Sequence, residues 1–174
     1  VAAALPGAHP ALAAASPHAL LVNVQNGVDG DAIFAERFAR VIGGVIRHNC
    51  TRVYANFARA QSYGRIAVGA HPEGAGADVD AVAALLRSAG YDTGVSPRIA
   101  GDRWLKLCVN LMSTPDALVR REDHETHAFT EGKARLLEEA RDALAAAGIA
   151  ARSCDGRDRS LDEEGAKREF WLAF

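Results

Sequence analysis

The chain has 174 residues, 49% apolar and 24% charged. That is enough apolar material for the core of one domain, or of one and a half, and too much for a disordered chain. The formal charge is −2 with no basic patch, which argues against nucleic acid as the partner. No apolar run reaches the about 18 residues of a membrane helix, and positions 1–12 lack the basic start of a secretory signal. Cys50, Cys108 and Cys154 are odd in number and form no CxxC. Neither a disulfide framework nor a zinc site fits them, so a reducing cytoplasm is the expected location and no metal is expected. Met112 is the only methionine and the first residue is Val1, which fits a fragment or a reading frame begun at a GTG codon. Arginine outnumbers lysine 17 to 3, so the place of each lysine is informative.

Up to about residue 98, strand-like and helix-like stretches alternate. Residues 11–15 read as helix. Residues 19–25, Ala-Leu-Leu-Val-Asn-Val-Gln, form a short apolar run stopped by Asn26-Gly27, which predicts a buried strand and a turn. Ile33, Phe34 and Phe38 predict a helix over 31–40. Residues 41–46, 52–57 and 65–68 read as strands, the last closed by Gly69. They follow one another without helices, so this interval is expected to be antiparallel. Asp78 is a candidate N-cap for a helix over 79–88, stopped by Gly90. Residues 91–95 read as a further strand. The alternation predicts an α/β domain with a largely parallel sheet.

After Pro97 the pattern becomes helical. Asp102 is a candidate N-cap, and Trp104, Leu105, Cys108, Val109, Leu111 and Met112 follow at helical spacing. That helix is expected to end near Thr114-Pro115. A clear amphipathic helix covers 131–147 and is stopped by Gly148. Residues 152–169 are dense in charge and fit loop, helix or a frayed end. The expected fold is therefore α/β followed by all-α.

Two segments carry candidate chemistry. Lys106 and Asn110 are four residues apart, so they share one face of a helix. An ammonium there can protonate a carbonyl oxygen, and a carboxamide can hold a hydroxyl or carboxylate. Partial burial lowers the pKa of such an ammonium. The plainer reading is a lysine snorkelling from an amphipathic helix. Asn26 follows a buried strand, where ligands bind in open α/β sheets, although Asn-Gly is also simply favoured in turns. His124-Glu125-Thr126-His127 reads as a solvated helix start rather than a metal site. Cys108 turns away from Lys106 and Asn110 and reads as a core residue. Gly74-Ala75-Gly76 lacks the third glycine of a phosphate turn, because Val79 stands there.

Taken together, Gln25-Asn26-Gly27, Val41-Ile-Gly-Gly44, Gly64-Arg-Ile-Ala-Val-Gly69, Leu85-Leu86-Arg-Ser-Ala-Gly90 and Trp104-Leu-Lys106-Leu-Cys-Val-Asn110 resemble the ketopantoate reductase (2-dehydropantoate 2-reductase) family. Their order and spacing match over roughly residues 1–150. The resemblance implies residues 1–98 as the C-terminal part of a Rossmann-like NADP-binding domain, and residues 99–174 as the start of a helical substrate and catalytic domain. It implies NADPH-dependent reduction of ketopantoate to pantoate, for pantothenate and coenzyme A synthesis. Lys106 matches the general acid, Asn110 a substrate-binding asparagine, and Asn26 the asparagine at the cofactor–substrate junction. Thr114 stands where members often have a second asparagine. It keeps a hydroxyl for the substrate but loses the amide, which keeps other 2-keto acids open.

The family's opening strand and GxGxxG turn do not occur before Ala19, and its C-terminal Ser-Met-x-x-Asp and Thr-Glu-Ile-Asp elements do not occur after residue 150. The chain by itself is therefore expected to be weakly active or inactive, since dinucleotide phosphates need such a turn. The partner expected is a small 2-keto acid, with a homodimer left open. The rival from another class is a non-catalytic fragment or interaction module.

Overall fold

The computed structural model describes residues 18–153, together with Ala14 and Ser16. The helix expected over 11–15 lies outside these residues apart from Ala14, and so does the charged stretch 152–169 apart from Arg152 and Ser153. The chain divides into two compact units between Ala100 and Gly101.

The first unit is built on a four-stranded sheet. Its strands are β1 (Leu20–Asn23), β2 (Arg40–Ile46), β5 (Ile66–Ala70) and β6 (Thr93–Val95), in the order β1-β2-β5-β6. β1 runs parallel to β2, β2 antiparallel to β5, and β5 parallel to β6. Helix α1 (Gly30–Ala35) joins β1 to β2, and helix α2 (Ala77–Ser88) joins β5 to β6. Between β2 and β5 stands a separate antiparallel hairpin of β3 (Asn49–Tyr54) and β4 (Phe57–Ser62).

Alternation along the strands sets two faces. On one, Ile42, Ile66 and Val68 pack against Val79 and Ala83 of α2. On the other, Val41 packs with Phe34 and Phe38, and Val45 and Ala67 pack with Ile99. Each large apolar side chain buried this way contributes about 1.5–3 kcal/mol. α2 ends in a Schellman motif. Gly90 takes φ +90°, its N–H donates to Arg87 O, and the Tyr91 N–H reaches Leu86 O. Glycine adopts that left-handed backbone without a Cβ penalty.

The second unit is helical. Helix α3 (Ile99–Leu111) leads through helix α4 (Ser113–Leu118) and a 3₁₀ turn (Arg121–Asp123) to helix α5 (His127–Ala146). Leu105, Cys108 and Met112 pack with Leu137 and Leu144 of α5 and with Ala151. α5 opens on Thr126, whose hydroxyl accepts from the Phe129 N–H, and ends at Gly148 in a second Schellman motif. No helix among the described residues is long and apolar enough to cross a membrane.

Several expected elements are corrected. The helix expected over 31–40 ends at Ala35. Beyond it the N–H groups of Arg37 and Phe38 both reach Phe34 O, and this turn swings Phe38 onto Phe34 and Val41 before Arg40 enters β2. The strand expected over 52–57 is the tip of the hairpin, with Tyr54 opposite Phe57, and β4 was not foreseen. Gly69 does not close β5 but lies inside it, where a Cβ would stand 2.2 Å from Ser96 O. Asp78 does not cap α2. It lies in the first turn and grips Arg40 with both carboxylate oxygens. Asp102 does not cap α3, which starts three residues earlier. In the turn just before it, the Ser96 hydroxyl accepts from the Arg98 N–H at 3.2 Å. Pro115 does not end α3 but sits in the first turn of α4, where its missing N–H is not needed.

Candidate functional site

The first group of candidates stands where β1 leaves the sheet. Past Asn23 the chain forms a loop through Gln25, Asn26 and Gly27 before α1 begins at Gly30. Gly27 takes φ +102° and Asn26 is exposed. Asn23 and Asp31, at the two ends of the loop, are 3% and 2% exposed. The Asn23 Nδ2 donates to Asp31 Oδ1 at 2.7 Å, and Asn23 Oδ1 accepts from the Gln25 N–H at 3.0 Å. Sequence reading passed over both residues. The signal that could have found them is a polar residue at an inward strand position, since Asn23 shares a face with Leu21.

The second group lies on α3 and α4. Leu105, Cys108 and Met112 form the core face. Turning about 100° per residue carries Lys106 and Asn110 together to the side away from it. Lys106 is half-buried and Asn110 exposed. Thr114 is exposed and belongs to α4, a separate helix, because Met112 closes α3 with a tight turn onto Val109 O at 3.2 Å. One turn before Lys106, Asp102 and Arg103 are 0% and 4% exposed. Arg103 was passed over and Asp102 was read only as a helix cap; their offsets of three and four residues from Lys106 were the available sign. Burial pushes the Cys108 thiol above its ordinary pKa, which suits a packing residue and not a nucleophile.

Two further segments do not assemble a site. The Gly74 N–H donates to Pro97 O at 2.8 Å, so it does not face a phosphate, and Asp78 and Asp80 bring negative charge to the first turn of α2. Both features disfavour an anion there. At the His124 segment, the imidazole stacks on Phe129 with 4.3 Å between ring centres, and its Nε2 lies 3.0 Å from Val119 O. Among the described residues no group of three or more His, Cys, Asp or Glu is placed to hold a metal ion.

No protein-family model matches the sequence, and no curated protein matches it. Solved structures do match in fold. The 2-dehydropantoate 2-reductase of Methylococcus capsulatus superposes with a TM-score of 0.68 at 23% identity, over 95% of this chain and 54% of that one. The chain has the fold of ketopantoate reductases. A dimeric ketopantoate reductase from Staphylococcus aureus matches with a TM-score of 0.65 at 14% identity, over 89% of this chain and 50% of that one. D-mandelate dehydrogenase in complex with NADH matches with a TM-score of 0.69 at 16% identity, over 88% of this chain and 51% of that one. The chain spans about half the length of these structures. The shared fold accounts for the α/β unit followed by helices.

Proposed function

We propose that the chain belongs to a nicotinamide-dependent reductase of 2-keto acids. NADPH is the expected cofactor and ketopantoate the first substrate to test, which would place the reaction in pantothenate and coenzyme A synthesis. The observation that carries the reading is the pairing of Lys106 with Asn110 on the outer side of α3, in a chain with the ketopantoate reductase fold. In this reading residues 1–98 serve the cofactor and residues 99–174 the substrate. Asn26 contacts ligand where cofactor and substrate meet. Asn110 and Thr114 hold the substrate's polar groups.

When bound, the reduced nicotinamide supplies a hydride to the keto carbon. Lys106 stabilises the charge growing on the keto oxygen and gives it a proton, which yields the hydroxyl acid. Solvent then reprotonates the lysine. Among the described residues the Gly74 loop does not fit a pyrophosphate, so the 174-residue chain by itself is expected to bind NADPH weakly. A homodimer is the proposed assembly, and the cytoplasm the proposed location.

A second reading keeps the chemistry and changes the substrate. The hydroxyl of Thr114, on its own short helix, suits another 2-keto acid. D-mandelate dehydrogenase has the same fold, and its name points to an aromatic one. The test is reduction of a panel of 2-keto acids, aliphatic and aromatic, with NADPH and with NADH. It uses the protein carrying this chain and its Lys106→Ala variant. Turnover that falls about 10²–10⁴-fold in the variant supports the reading, and the best substrate decides between its two forms. Turnover unchanged by the substitution removes Lys106 as general acid.

A further inference from the structure

We infer that Asn23 and Asp31 act as positioning residues, a latch that fixes the Gln25-Asn26-Gly27 loop and through it the side chain of Asn26. The latch rests on the function proposed above only for what Asn26 does; its geometry stands on its own. The two side chains join residues on either side of the loop, the last residue of β1 and the second of α1. Their bond is short and buried, and a buried bond to a carboxylate is among the stronger ones. Asn23 uses its other end as well. Its Oδ1 takes the Gln25 N–H, so the first step of the loop is held by the same side chain that holds the last.

The neighbouring backbone is shaped around this pair. Asn23 stands opposite Gly43 in the parallel pairing of β1 with β2. A Cβ on Gly43 would stand 2.4 Å from Asp31 Oδ2, and one on Gly30 would stand 2.6 Å from Asn23 Nδ2. Two glycines thus leave room for one polar pair. On the other face of β2 a Cβ at Gly44 would meet Val24 Cγ1 at 3.0 Å, so the adjacent glycine admits the first residue of the loop. The Val41-Ile-Gly-Gly44 segment therefore has a physical purpose. It leaves room for Val24 and Asp31 at the two ends of the loop. A loop tied at both ends presents Asn26 in one place, and catalytic geometry depends on such fixing.

The experiment uses the protein carrying this chain. Amide hydrogen exchange and steady-state kinetics are measured for Asn23→Ala, Asn26→Ala, their combination, and the exchanged pair Asn23→Asp with Asp31→Asn. The exchanged pair rebuilds the bond with donor and acceptor reversed and still offers an oxygen to the Gln25 N–H. Asn23→Ala is expected to speed exchange at Gln25 roughly tenfold while β2 and β5 keep their rates, and to lower kcat/KM about tenfold. On the Asn26→Ala background the same change should cost no more than about twofold, because coupled residues are not additive. The exchanged pair should recover both readouts. Unchanged exchange at Gln25 overturns the latch, and so does a full, additive kinetic loss on the Asn26→Ala background. If Asn26→Ala and Lys106→Ala leave turnover intact while Gln25 exchange still accelerates, the roles proposed for Asn26 and Lys106 fail and the latch remains.

Discussion

At the end of β1, Asn23 and Asp31 are buried and bonded to each other at 2.7 Å. On α3, Lys106 and Asn110 are half-buried and exposed, on the side away from Leu105 and Cys108. Both places put polar side chains beside apolar ones, yet they work differently. The first pair is bonded across a loop, and Asn23 also accepts from the Gln25 N–H. The second stands off the core, where losing a side chain removes little packing. The buried pair reports architecture, and the pair off the core face is the one to which the proposed chemistry is assigned.

The sharpest way to break that contrast is to alter two adjacent residues of α3. Lys106→Ala should lower turnover of a 2-keto acid about 10²–10⁴-fold and leave the melting temperature nearly unchanged. Leu105→Ala should do the reverse, removing about 2–5 kcal/mol of stability, because Leu105 is buried in the helical core. Denaturant titration beside steady-state kinetics separates the two. If Lys106→Ala unfolds the protein, Lys106 belongs with the architecture and the contrast collapses.

The next test belongs to the sheet. Gly43→Ala would drive a methyl group against the Asp31 carboxylate and within 3.1 Å of Ile99 Cγ1. Overpacking of this kind removes about 1–3 kcal/mol, and denaturant titration should show it. No loss at all would mean that Asp31 has room to move and that the loop is held less tightly than its bonds indicate.

How much of this was legible in the sequence follows from burial. β2 and β5 are buried on both faces, so Val41, Ile42, Val45, Ile66 and Val68 announce themselves as apolar runs. The glycine caps at Gly90 and Gly148 were equally plain, since their backbone angles demand that residue. β4 was not legible. Ala60 aside, the hairpin's strand residues are exposed, and a strand that buries nothing carries no hydrophobic period. The caps assigned to Asp78 and Asp102 failed for a different reason. An aspartate near a helix start can also sit inside the first turns, and only the fold brings Arg40 to Asp78 or buries Asp102. The Lys106 and Asn110 pair was visible through spacing alone. The Asn23–Asp31 pair was not, because its two members are eight residues apart and meet only once the loop between them closes.

The same logic predicts small effects on the hairpin. Phe57 is 49% exposed and its ring lies 6.4 Å from that of Tyr54, so Phe57→Ala should change stability by no more than about 0.5 kcal/mol. A larger loss in denaturant titration would show that the hairpin has a packing partner and is not an open ribbon.

The smallest expected effect is the pH dependence of the Arg40–Asp78 pair, which ties the start of β2 to the first turn of α2. The bond to Arg40 holds the Asp78 carboxyl below its ordinary pKa. A carboxyl lowered in the folded state binds its proton more readily when unfolded, so the pair stabilises the fold above the ordinary carboxylate range. That contribution is lost as pH falls through the lowered value. Both groups are open to water, so the effect is screened and should fade further with salt. Stability measured from neutral pH down into the acid range should therefore fall less steeply in Asp78→Asn than in the unaltered chain. Identical acid limbs would show that the pair contributes nothing to the pH dependence of folding.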